Sequence, residues 1–232
     1  MNVLAREFAH QSVAALPSQR ETTATAIGCR ALDLILGLTL MVVLMPLLVA
    51  IALAIRLESP GGPIFSQRRL GRGLTLFTVY KFRTMYSGRS SATHREYVTS
   101  LIRGDGLASA NGDSGLYKLQ RDDRVTRVGT FLRRTSLDEL PQLWNVVRGQ
   151  MSLVGPRPVI PYELEHYPPD WCERFAVRPG LTGLWQVSGR SRLSYEQMVD
   201  LDREYVRRRS FWLNVAILAR TPLAVAHAKD AA

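Results

Sequence analysis

The longest apolar stretch of the chain runs from Leu34 to Ile55 without a charged residue. A bilayer-spanning helix needs about 20 such residues, whereas a buried helix of a globular domain is shorter and keeps a polar face. The stretch also begins too late, and is too long, for the apolar part of a cleavable signal peptide. We therefore predict a membrane helix over residues 30–57, preceded by a flexible extension over residues 1–29.

Pro46 lies near the middle of this apolar stretch. Proline lacks a backbone N–H and clashes with the preceding turn, so we predict that the membrane helix breaks there. A broken helix need not cross the bilayer, and both a re-entrant and a spanning arrangement stay open. Basic residues after the stretch outnumber those before it, so the positive-inside rule predicts that residues 58–232 lie in the cytoplasm.

The pattern beyond the apolar stretch predicts one strand and two helices. Alternation of side chains with period 2 predicts a strand over Leu74–Met85, with Lys81 and Arg83 on one face. Helical periodicity predicts a helix over Arg133–Val147, entered near Thr135 and Ser136, and a second helix over Ser194–Val206.

In the C-terminal region we predict an apolar amphipathic helix over Phe211–Ala226, broken by Pro222. It follows three arginines, Arg207–Arg209, and basic clusters beside aromatic residues are typical of helices in the lipid headgroup layer. A solvated run of charges is the alternative. Residues 86–120 have weak periodicity, with a short helix over His94–Arg103 inside a long loop, and we assign no function to them.

Composition narrows the class of protein. A chain of 232 residues with 46% hydrophobic and 22% charged residues fits one large domain and excludes a disordered chain or a multi-span membrane protein. Two cysteines cannot form a disulfide framework or a Cys-based zinc site, which predicts a reducing, intracellular setting. The net charge of +10 predicts an anionic partner, namely nucleic acid, acidic lipid or a phosphorylated substrate.

Asp138 and Glu139 form an acidic pair among basic and helix-entry residues, and two interpretations stay open. Ser136 and Glu139 have the spacing of a capping box, and an acid in the first turn favours the helix dipole. Alternatively, the N–H groups at the helix start attract a phosphate while the two carboxylates hold Mg²⁺, which usually binds one or two carboxylates plus substrate phosphates. Aspartate also forms covalent intermediates with phosphorus in other enzymes.

Basic residues on rigid supports are candidates for binding phosphate. Lys81 and Arg83 project from the predicted strand, Arg157 lies between two prolines that lower the entropic cost of ordering it, and Arg190 follows a Ser-Gly pair. Taken singly, each of them is more often a surface charge or part of a structural salt bridge than a phosphate ligand. The sequence has no P-loop, no dinucleotide-binding glycine motif and no ligand-like histidine spacing, which argues against nucleoside triphosphate hydrolysis and against zinc.

Five sets of residues occur in a characteristic order: Gly62–Phe65 with Gln67–Gly71, Tyr80–Met85, Arg133–Trp144, Met151–Pro158 and Arg178–Gly183. Together they resemble the bacterial sugar transferase family, the monotopic polyprenyl-phosphate phosphoglycosyl transferases. The resemblance extends from Arg30 to Ala226. It implies an α/β fold, with a small, mostly helical catalytic domain containing a short β element, an N-terminal re-entrant membrane helix and interfacial amphipathic helices.

The resemblance also implies a reaction and a site. Such enzymes transfer a sugar-1-phosphate, with glucose or galactose favoured here, from a UDP-sugar to undecaprenyl phosphate and release UMP. Asp138 resembles the nucleophile, and Glu139 resembles its partner in binding Mg²⁺. Five further residues match family positions near the substrate phosphates or the nucleotide: Lys81, Arg133, Arg157, Arg190 and Asp202. The family breaks its membrane helix at a Ser-Pro pair, whereas Met45 precedes Pro46 in this chain.

The implied location is the bacterial cytoplasmic membrane, and the implied role is the initiation of exopolysaccharide or glycoconjugate synthesis. Expected partners are a UDP-sugar, undecaprenyl phosphate and anionic membrane lipids. A homodimer stays open, and nucleic acid is not expected. Two alternatives need no catalysis: a basic membrane-tethered module that binds nucleic acid or anionic lipid, and an inactive scaffold of a polysaccharide assembly complex. The intact pair of Asp138 and Glu139 argues against both.

Overall fold

The computed structural model describes residues 23–86, 99, 102 and 124–227. Its α-helices are α1 (Thr23–Val43), α2 (Met45–Glu58), α3 (Arg127–Thr135), α4 (Leu143–Val147), α5 (Leu184–Ser188), α6 (Tyr195–Arg208) and α7 (Phe211–His227). Its strands are β1 (Ile64–Leu70), β2 (Leu76–Phe82), β3 (Ser152–Val154) and β4 (Gly180–Thr182). Short 3₁₀ helices cover Arg72–Leu74, Leu137–Gln142, Glu163–His166, Pro169–Ala176 and Arg190–Arg192. The predicted mostly helical domain with short strands is therefore confirmed.

Two elements form where the local pattern predicts them. Strand β2 lies within the predicted Leu74–Met85 segment. Helix α6 begins directly after Ser194, whose hydroxyl accepts a hydrogen bond from the backbone of Gln197 at 3.2 Å while the Gln197 side chain accepts one from the Ser194 backbone at 2.8 Å. This reciprocal capping box satisfies two N–H groups that the first turn of a helix leaves without partners. Local sequence is thus sufficient to fix the start of α6.

Two small sheets support the domain. Strands β1 and β2 pair antiparallel, with Ile64 opposite Phe82 at one end and Leu70 opposite Leu76 at the other. Strands β3 and β4 pair parallel. The backbone N–H of Leu70 donates to the carbonyl of Val159 at 2.8 Å, which joins the hairpin to the loop that follows β3. The two sheets are therefore held together through this loop.

Helices α1 and α2 form the apolar N-terminal region. Helix α1 ends at Val43 and α2 begins at Met45, so the predicted break lies just before Pro46, which occupies the first turn of α2 where a missing N–H costs least. Helix α1 is long and apolar enough to cross a membrane. Large apolar side chains are exposed along both helices: Ile27, Ile35, Leu38, Val42, Val43, Met45, Leu47, Val49, Leu53 and Leu57. The re-entrant course of these helices stays a prediction.

One side of the apolar region packs against the rest of the domain. Leu36, Leu40 and Met41 of α1 contact the core cluster around Leu143 and Tyr205. Residues 1–22 of the predicted extension lie outside the described residues, whereas residues 23–29 belong to α1. Helix α1 is therefore part of the domain core as well as a candidate membrane helix.

Two further predictions fall on the C-terminal helix and the long central loop. The predicted break at Pro222 is wrong, because α7 continues through it to His227. Contacts from other elements hold its last turns, since Arg190 donates to the carbonyl of Ala224 at 2.6 Å. The predicted helix over His94–Arg103 lies outside the described residues except for two helical positions, of which Ile102 packs against the core.

Candidate active site

The acidic pair lies where the backbone turns sharply between two helices. Helix α3 ends at Thr135, and Ser136 adopts a left-handed conformation with φ 57°. Asp138 and Glu139 follow in the 3₁₀ helix Leu137–Gln142. The predicted single helix over Arg133–Val147 is therefore wrong. The apolar periodicity of the sequence continues across the turn at Ser136, so periodicity alone does not reveal it.

The capping-box interpretation of the acidic pair is also wrong. The Ser136 side chain makes no capping hydrogen bond, and only its carbonyl accepts from the Glu139 backbone N–H, at 3.3 Å. The Glu139 carboxylate instead accepts a hydrogen bond from Lys81 Nζ at 2.5 Å. The Glu139 side chain, which the local sequence predicts as part of a capping box, therefore forms an ion pair with a residue distant in the sequence.

Lys81 and Glu139 form an ion pair at the partly exposed surface of the site. Lys81 is the penultimate residue of β2, and the two side chains are 23% and 33% exposed. Burial raises the pKa of Glu139, but the charges of Lys81, Arg157 and Arg69 outweigh burial, so the pKa lies below its ordinary value. Three cations therefore converge electrostatically on this carboxylate and keep it ionised.

Arg157 is presented by the loop Gly155–Val159, here called the Arg157 loop. The loop packs backbone against backbone on the start of β4, where a Cβ atom added to Gly180 would lie 2.1 Å from the Gly155 nitrogen. A Cβ atom on Gly183 would lie 2.5 Å from the Gly155 carbonyl oxygen. Only glycine permits these approaches. The glycines of two distant motifs therefore act together to position one arginine.

Arg69 is a cation of the site that the sequence analysis missed. Its side chain is 7% exposed, and its guanidinium donates to the carbonyl of Pro158 at 3.0 Å and to the Gln67 side chain at 2.7 Å. Burial and the charge of Arg157 lower the pKa of Arg69 to about 10, so it stays protonated at neutral pH. The signal was its place in the Gln67–Gly71 motif, which periodicity alone does not single out.

Arg133 and Arg83 make contacts with different parts of the domain. Arg133 Nε donates to the Thr84 hydroxyl at 3.0 Å, and its helix α3 approaches Thr84 so closely that a Cβ atom on Gly129 would lie 2.2 Å from the Thr84 carbonyl oxygen. The Arg83 guanidinium donates to the carbonyls of Ser59 and Pro60 at 2.8 and 2.5 Å. Arg83 therefore joins the end of α2 to the end of β2, and it does not point with Lys81 toward Glu139.

Arg190 lies in the 3₁₀ helix Arg190–Arg192, between α5 and α6. Its backbone has a positive φ of 50°, and its guanidinium donates to the carbonyl of Ala224 in α7 at 2.6 Å. Burial lowers the pKa of Arg190, and the charge of Glu139 opposes this effect. Arg190 is thus within electrostatic reach of the acidic pair and is held by the C-terminal helix.

Asp202 is fully buried beneath the Arg157 loop. It is 0% exposed, and its carboxylate accepts a hydrogen bond from Arg174 at 2.5 Å. Burial raises the pKa of Asp202 to about 6, although Arg174 and the backbone of Arg157 lower it. The structure places this predicted site residue behind the Arg157 loop, to whose backbone Arg174 connects it.

A small cleft opens beside these residues. Arg157, Glu163, Arg174, Trp185 and Tyr195 are among its lining residues. Its floor contains a chain of buried hydrogen bonds, in which the Tyr195 hydroxyl donates to Glu163 at 3.0 Å and lies next to the Tyr167 hydroxyl. Arg174 Nη1 donates to the Tyr167 hydroxyl at 3.0 Å. The floor of the cleft is therefore polar and rigidly connected.

Asn145 is a second residue that the sequence analysis missed. Its side-chain amide donates to the carbonyl of Thr78 at 2.7 Å and accepts from the backbone N–H of Tyr80 at 3.3 Å. It also donates to Gln150 at 2.9 Å. Asn145 lies in α4, directly after the acidic segment, and Tyr80 precedes Lys81 in β2. It therefore joins β2, which carries Lys81, to α4, which directly follows the 3₁₀ helix that carries Glu139.

The donor set for a metal consists of the two acidic side chains. Among the described residues, no group of three or more His, Cys, Asp or Glu side chains comes together. Two adjacent carboxylates, Asp138 and Glu139, fit a cation such as Mg²⁺ that keeps several waters and takes further ligands from substrate phosphates. They do not fit zinc, which takes three or four protein ligands.

Comparison with known proteins places the chain among sugar transferases. Residues 24–228 match the sequence profile described as bacterial sugar transferase. The UDP-galactose-lipid carrier transferase of Erwinia amylovora is 46% identical over 192 residues, which cover 83% of this chain and 39% of the relative. The UDP-glucose:undecaprenyl-phosphate glucose-1-phosphate transferase of Caulobacter vibrioides is 40% identical over 200 residues, covering 83% of this chain and 67% of that protein.

A third relative is similar in length to the chain itself. The exopolysaccharide production protein ExoY of Rhizobium meliloti is 38% identical over 196 residues, which cover 84% of each protein. The match to the Erwinia protein spans only about two fifths of that protein's length. The range that matches the family profile, residues 24–228, contains the acidic pair, the Arg157 loop and the basic residues described above.

Proposed function

This chain belongs to the bacterial sugar transferase family, and on that premise we propose that it transfers a hexose-1-phosphate from a UDP-sugar to undecaprenyl phosphate. The observation that carries the proposal is the concentration of positive charge around one acidic pair. Lys81, Arg157 and Arg69 together keep Glu139 ionised against the effect of burial. A site with this potential favours phosphate groups and the charge that develops on them during transfer.

The donor and acceptor follow from the names of the relatives. One relative is named for UDP-glucose and undecaprenyl phosphate, and another for UDP-galactose and a lipid carrier. Both names describe a nucleotide sugar as donor and a lipid as acceptor. We therefore assign a UDP-hexose, glucose or galactose, as the donor and undecaprenyl phosphate as the acceptor. The product initiates an exopolysaccharide or glycoconjugate, as the name of the third relative suggests.

We assign the nucleophilic attack to Asp138. The carboxylate of its neighbour Glu139 is neutralised by Lys81 at 2.5 Å, which lowers the nucleophilicity of Glu139. An Asp138 oxygen forms a bond to the sugar-bearing phosphorus while the bond from this phosphorus to the bridging oxygen breaks, and UMP leaves with that oxygen. An oxygen of undecaprenyl phosphate then attacks the same phosphorus. The bond to Asp138 breaks, and the free carboxylate is regenerated.

The chain's own cations stabilise both steps. Arg157 and Lys81 lie on separate supports, the Arg157 loop and β2, and the charges of both act on Glu139. Their charges offset the charge that develops on the non-bridging oxygens. Asp138 and Glu139 would hold Mg²⁺, which when bound supplies Lewis-acid polarisation of the phosphoryl oxygens and orients the leaving group.

A membrane-associated site suits a lipid acceptor. The apolar faces of α1 and α2 are exposed, and Trp212 at the start of α7 is 74% exposed behind the basic segment Arg207–Arg209. Aromatic and basic residues in this arrangement contact anionic headgroups. We therefore place the protein at the bacterial cytoplasmic membrane with the site facing the cytoplasm, where nucleotide sugars are present.

Release of UMP tests the proposal. The protein in nanodiscs is given UDP-glucose or UDP-galactose, Mg²⁺ and undecaprenyl phosphate, and UMP is measured. We expect Asp138→Asn to abolish release. Asp170→Asn is the matched control, because its carboxylate is 78% exposed and its ion-pair partner is Arg203, outside the acidic pair, and we expect its rate to equal that of the wild type. Full turnover by Asp138→Asn would refute the assigned nucleophile.

A second measurement tests the two-step course of the reaction. If the sugar-phosphate is first transferred to Asp138, labelled UMP exchanges into the UDP-sugar without undecaprenyl phosphate. Exchange that requires the lipid would refute the covalent intermediate. Absence of UMP release from every UDP-sugar, with lipid and Mg²⁺ present, would refute the proposed function itself.

A further inference from the structure

The backbone of the Arg157 loop is held at successive peptide groups by separate elements. Strand β4 holds its first residues, the end of β1 holds its last residues, and a buried ion pair holds its centre. The contacts are Gly155 N to Thr182 O at 2.9 Å, Gly180 N to Pro156 O at 2.8 Å, Arg174 Nη2 to Arg157 O at 3.3 Å, Arg69 Nη1 to Pro158 O at 3.0 Å and Leu70 N to Val159 O at 2.8 Å. Little of this loop is therefore left to move.

The buried ion pair connects the centre of the loop to two other elements. The same nitrogen of Arg174, Nη2, donates both to the carbonyl of Arg157 and to Asp202 at 2.5 Å. The carboxylate of Asp202 also interacts with the backbone amide of Arg157. Arg174 lies in the 3₁₀ helix Pro169–Ala176, and Asp202 lies in α6. The carbonyl of Arg157 is thus hydrogen-bonded to one buried pair, and its amide lies within electrostatic reach of the same pair.

Stability alone does not account for an ion pair in this position. Arg174 and Asp202 are 6% and 0% exposed, and removing two charges from water costs several kcal/mol per ion. Apolar residues of similar volume often stabilise a protein as well as a buried ion pair does. A pair that instead fixes one backbone geometry restricts the directions open to the Arg157 side chain. The charge of that side chain reaches Glu139, where it lowers the pKa of the carboxylate.

We propose that Arg174 and Asp202 are positioning residues, which act on the transfer reaction by holding the backbone of Arg157 so that its guanidinium meets the substrate phosphates. This inference rests on the proposed function. It replaces the predicted role of Asp202 as a residue beside the substrate, because a side chain with no exposed surface reaches the phosphates only through Arg157. Arg174, which the sequence analysis did not single out, acquires the same role.

A double-mutant cycle tests whether Asp202 acts through Arg157. Asp202→Asn keeps the size of the side chain and removes its charge, and we expect kcat/KM for UMP release to fall by about 10- to 100-fold, the effect typical of a small misplacement of a reacting group. In an Arg157→Ala background, we expect Asp202→Asn to lower the rate less than about twofold, because the group that it positions is already absent. Arg174→Lys is the second variant and is expected to behave alike.

Asn214→Ala is the matched control for a buried polar substitution. Asn214 is 1% exposed in α7, and its amide is hydrogen-bonded to Tyr205 and Cys29, not to the Arg157 loop. We expect it to lower Tm and to combine additively with Arg157→Ala. If Asp202→Asn and Arg174→Lys also combine additively with Arg157→Ala, the positioning role is refuted.

Hydrogen exchange gives a readout that does not depend on activity. We expect faster exchange at the amides of Arg157 and Val159 in Asp202→Asn, and unchanged exchange there in Asn214→Ala. Equal exchange in Asp202→Asn and the wild type would overturn the inference even if both are active. If the wild type releases no UMP but Asp202→Asn still shows faster amide exchange at Arg157 and Val159, the proposed function is refuted. The same result would show that the ion pair holds the backbone of this loop.

Discussion

The amide of Asn145 provides the sharpest test of how the site is assembled. It bridges α4 and β2 through the carbonyl of Thr78 at 2.7 Å and the N–H of Tyr80 at 3.3 Å, and it also donates to Gln150 at 2.9 Å. Asn145→Ala leaves the first two backbone groups without their partners in a half-buried interface. Each such group costs about 1–3 kcal/mol. For the two groups together, we therefore expect a loss of about 2–6 kcal/mol in the free energy of unfolding.

This loss is large enough to measure as a change in Tm. A domain of 150–250 residues loses about 2–4 °C per kcal/mol, so Asn145→Ala is expected to lower Tm by roughly 4–24 °C in thermal unfolding followed by intrinsic fluorescence. The variant is also expected to lower kcat/KM for UMP release by about tenfold or more. The reason is that Lys81 follows Tyr80 directly, and a small displacement of a reacting group is enough for such a loss.

Gln150→Ala is the control for Asn145→Ala. It removes only one hydrogen bond of the Asn145 amide, at a half-buried position where water replaces the lost partner. We expect Gln150→Ala to change the free energy of unfolding by about 0.5 kcal/mol or less and to leave activity intact. Equal Tm values for the two variants would refute the conclusion that Asn145 joins the acidic segment to β2.

Two further predictions concern close backbone packing and pH. Gly180→Ala is expected to lower Tm strongly and to abolish UMP release, because its Cβ atom would lie 2.1 Å from backbone, whereas Gly62→Ala meets no atom within 4 Å and is expected to match the wild type. Folding lowers the pKa of Glu139, so its ionised carboxylate stabilises the folded protein at pH values above about 4.3, the pKa of Glu in the unfolded chain. This contribution to the free energy of unfolding is lost as the pH falls below that value. Lys81→Met raises the pKa of Glu139, so the acid limb of the pH–rate profile is expected to move to higher pH, whereas an unmoved limb would refute the role of this ion pair.

Local sequence was sufficient where an element satisfies its own requirements. The alternating pattern that predicts a strand over Leu74–Met85 and the capping residues at Ser194 both act within a few residues. The strand also placed Lys81 correctly on the edge of the site. The prediction that Lys81 and Arg83 project from one face of the strand was not met, because β2 ends at Phe82 and the Arg83 guanidinium contacts the end of α2 while Lys81 contacts Glu139.

Long-range contacts account for what the sequence pattern did not predict. Ser136 takes a left-handed conformation that is uncommon for residues other than glycine, so the turn between α3 and the acidic pair has no local signal. Gly129, which allows α3 to approach Thr84, looks in the sequence like any weak helix position. The partner of Asp202 is Arg174, and the two residues meet only when α6 packs on the 3₁₀ helix Pro169–Ala176.

Polar contacts from the apolar helices reach three of the elements that carry the site. Arg30 of α1 donates to the last carbonyls of α4 at 2.7 and 2.8 Å. Asp33 accepts from the backbone of Leu153 in β3 at 2.8 Å, just before the Arg157 loop. Glu58, the last residue of α2, accepts from the N–H of Arg127 at 2.7 Å and so caps α3, the helix that leads to the acidic pair.

These contacts mean that the apolar region is more than a tether for the site. A tether joins a domain at one point and leaves its orientation free, whereas Arg30, Asp33 and Glu58 connect α1 and α2 to elements on both sides of the acidic pair. A directional hydrogen bond at each of these three points makes the geometry specific, most of all at the buried Asp33, where an unpaired partner costs free energy. If the exposed faces of α1 and α2 lie in lipid, the depth of Asp138 relative to the headgroups is therefore set by the fold. In the proposed reaction, this fixed depth would hold the sugar-phosphate on Asp138 at the level of the lipid-linked acceptor.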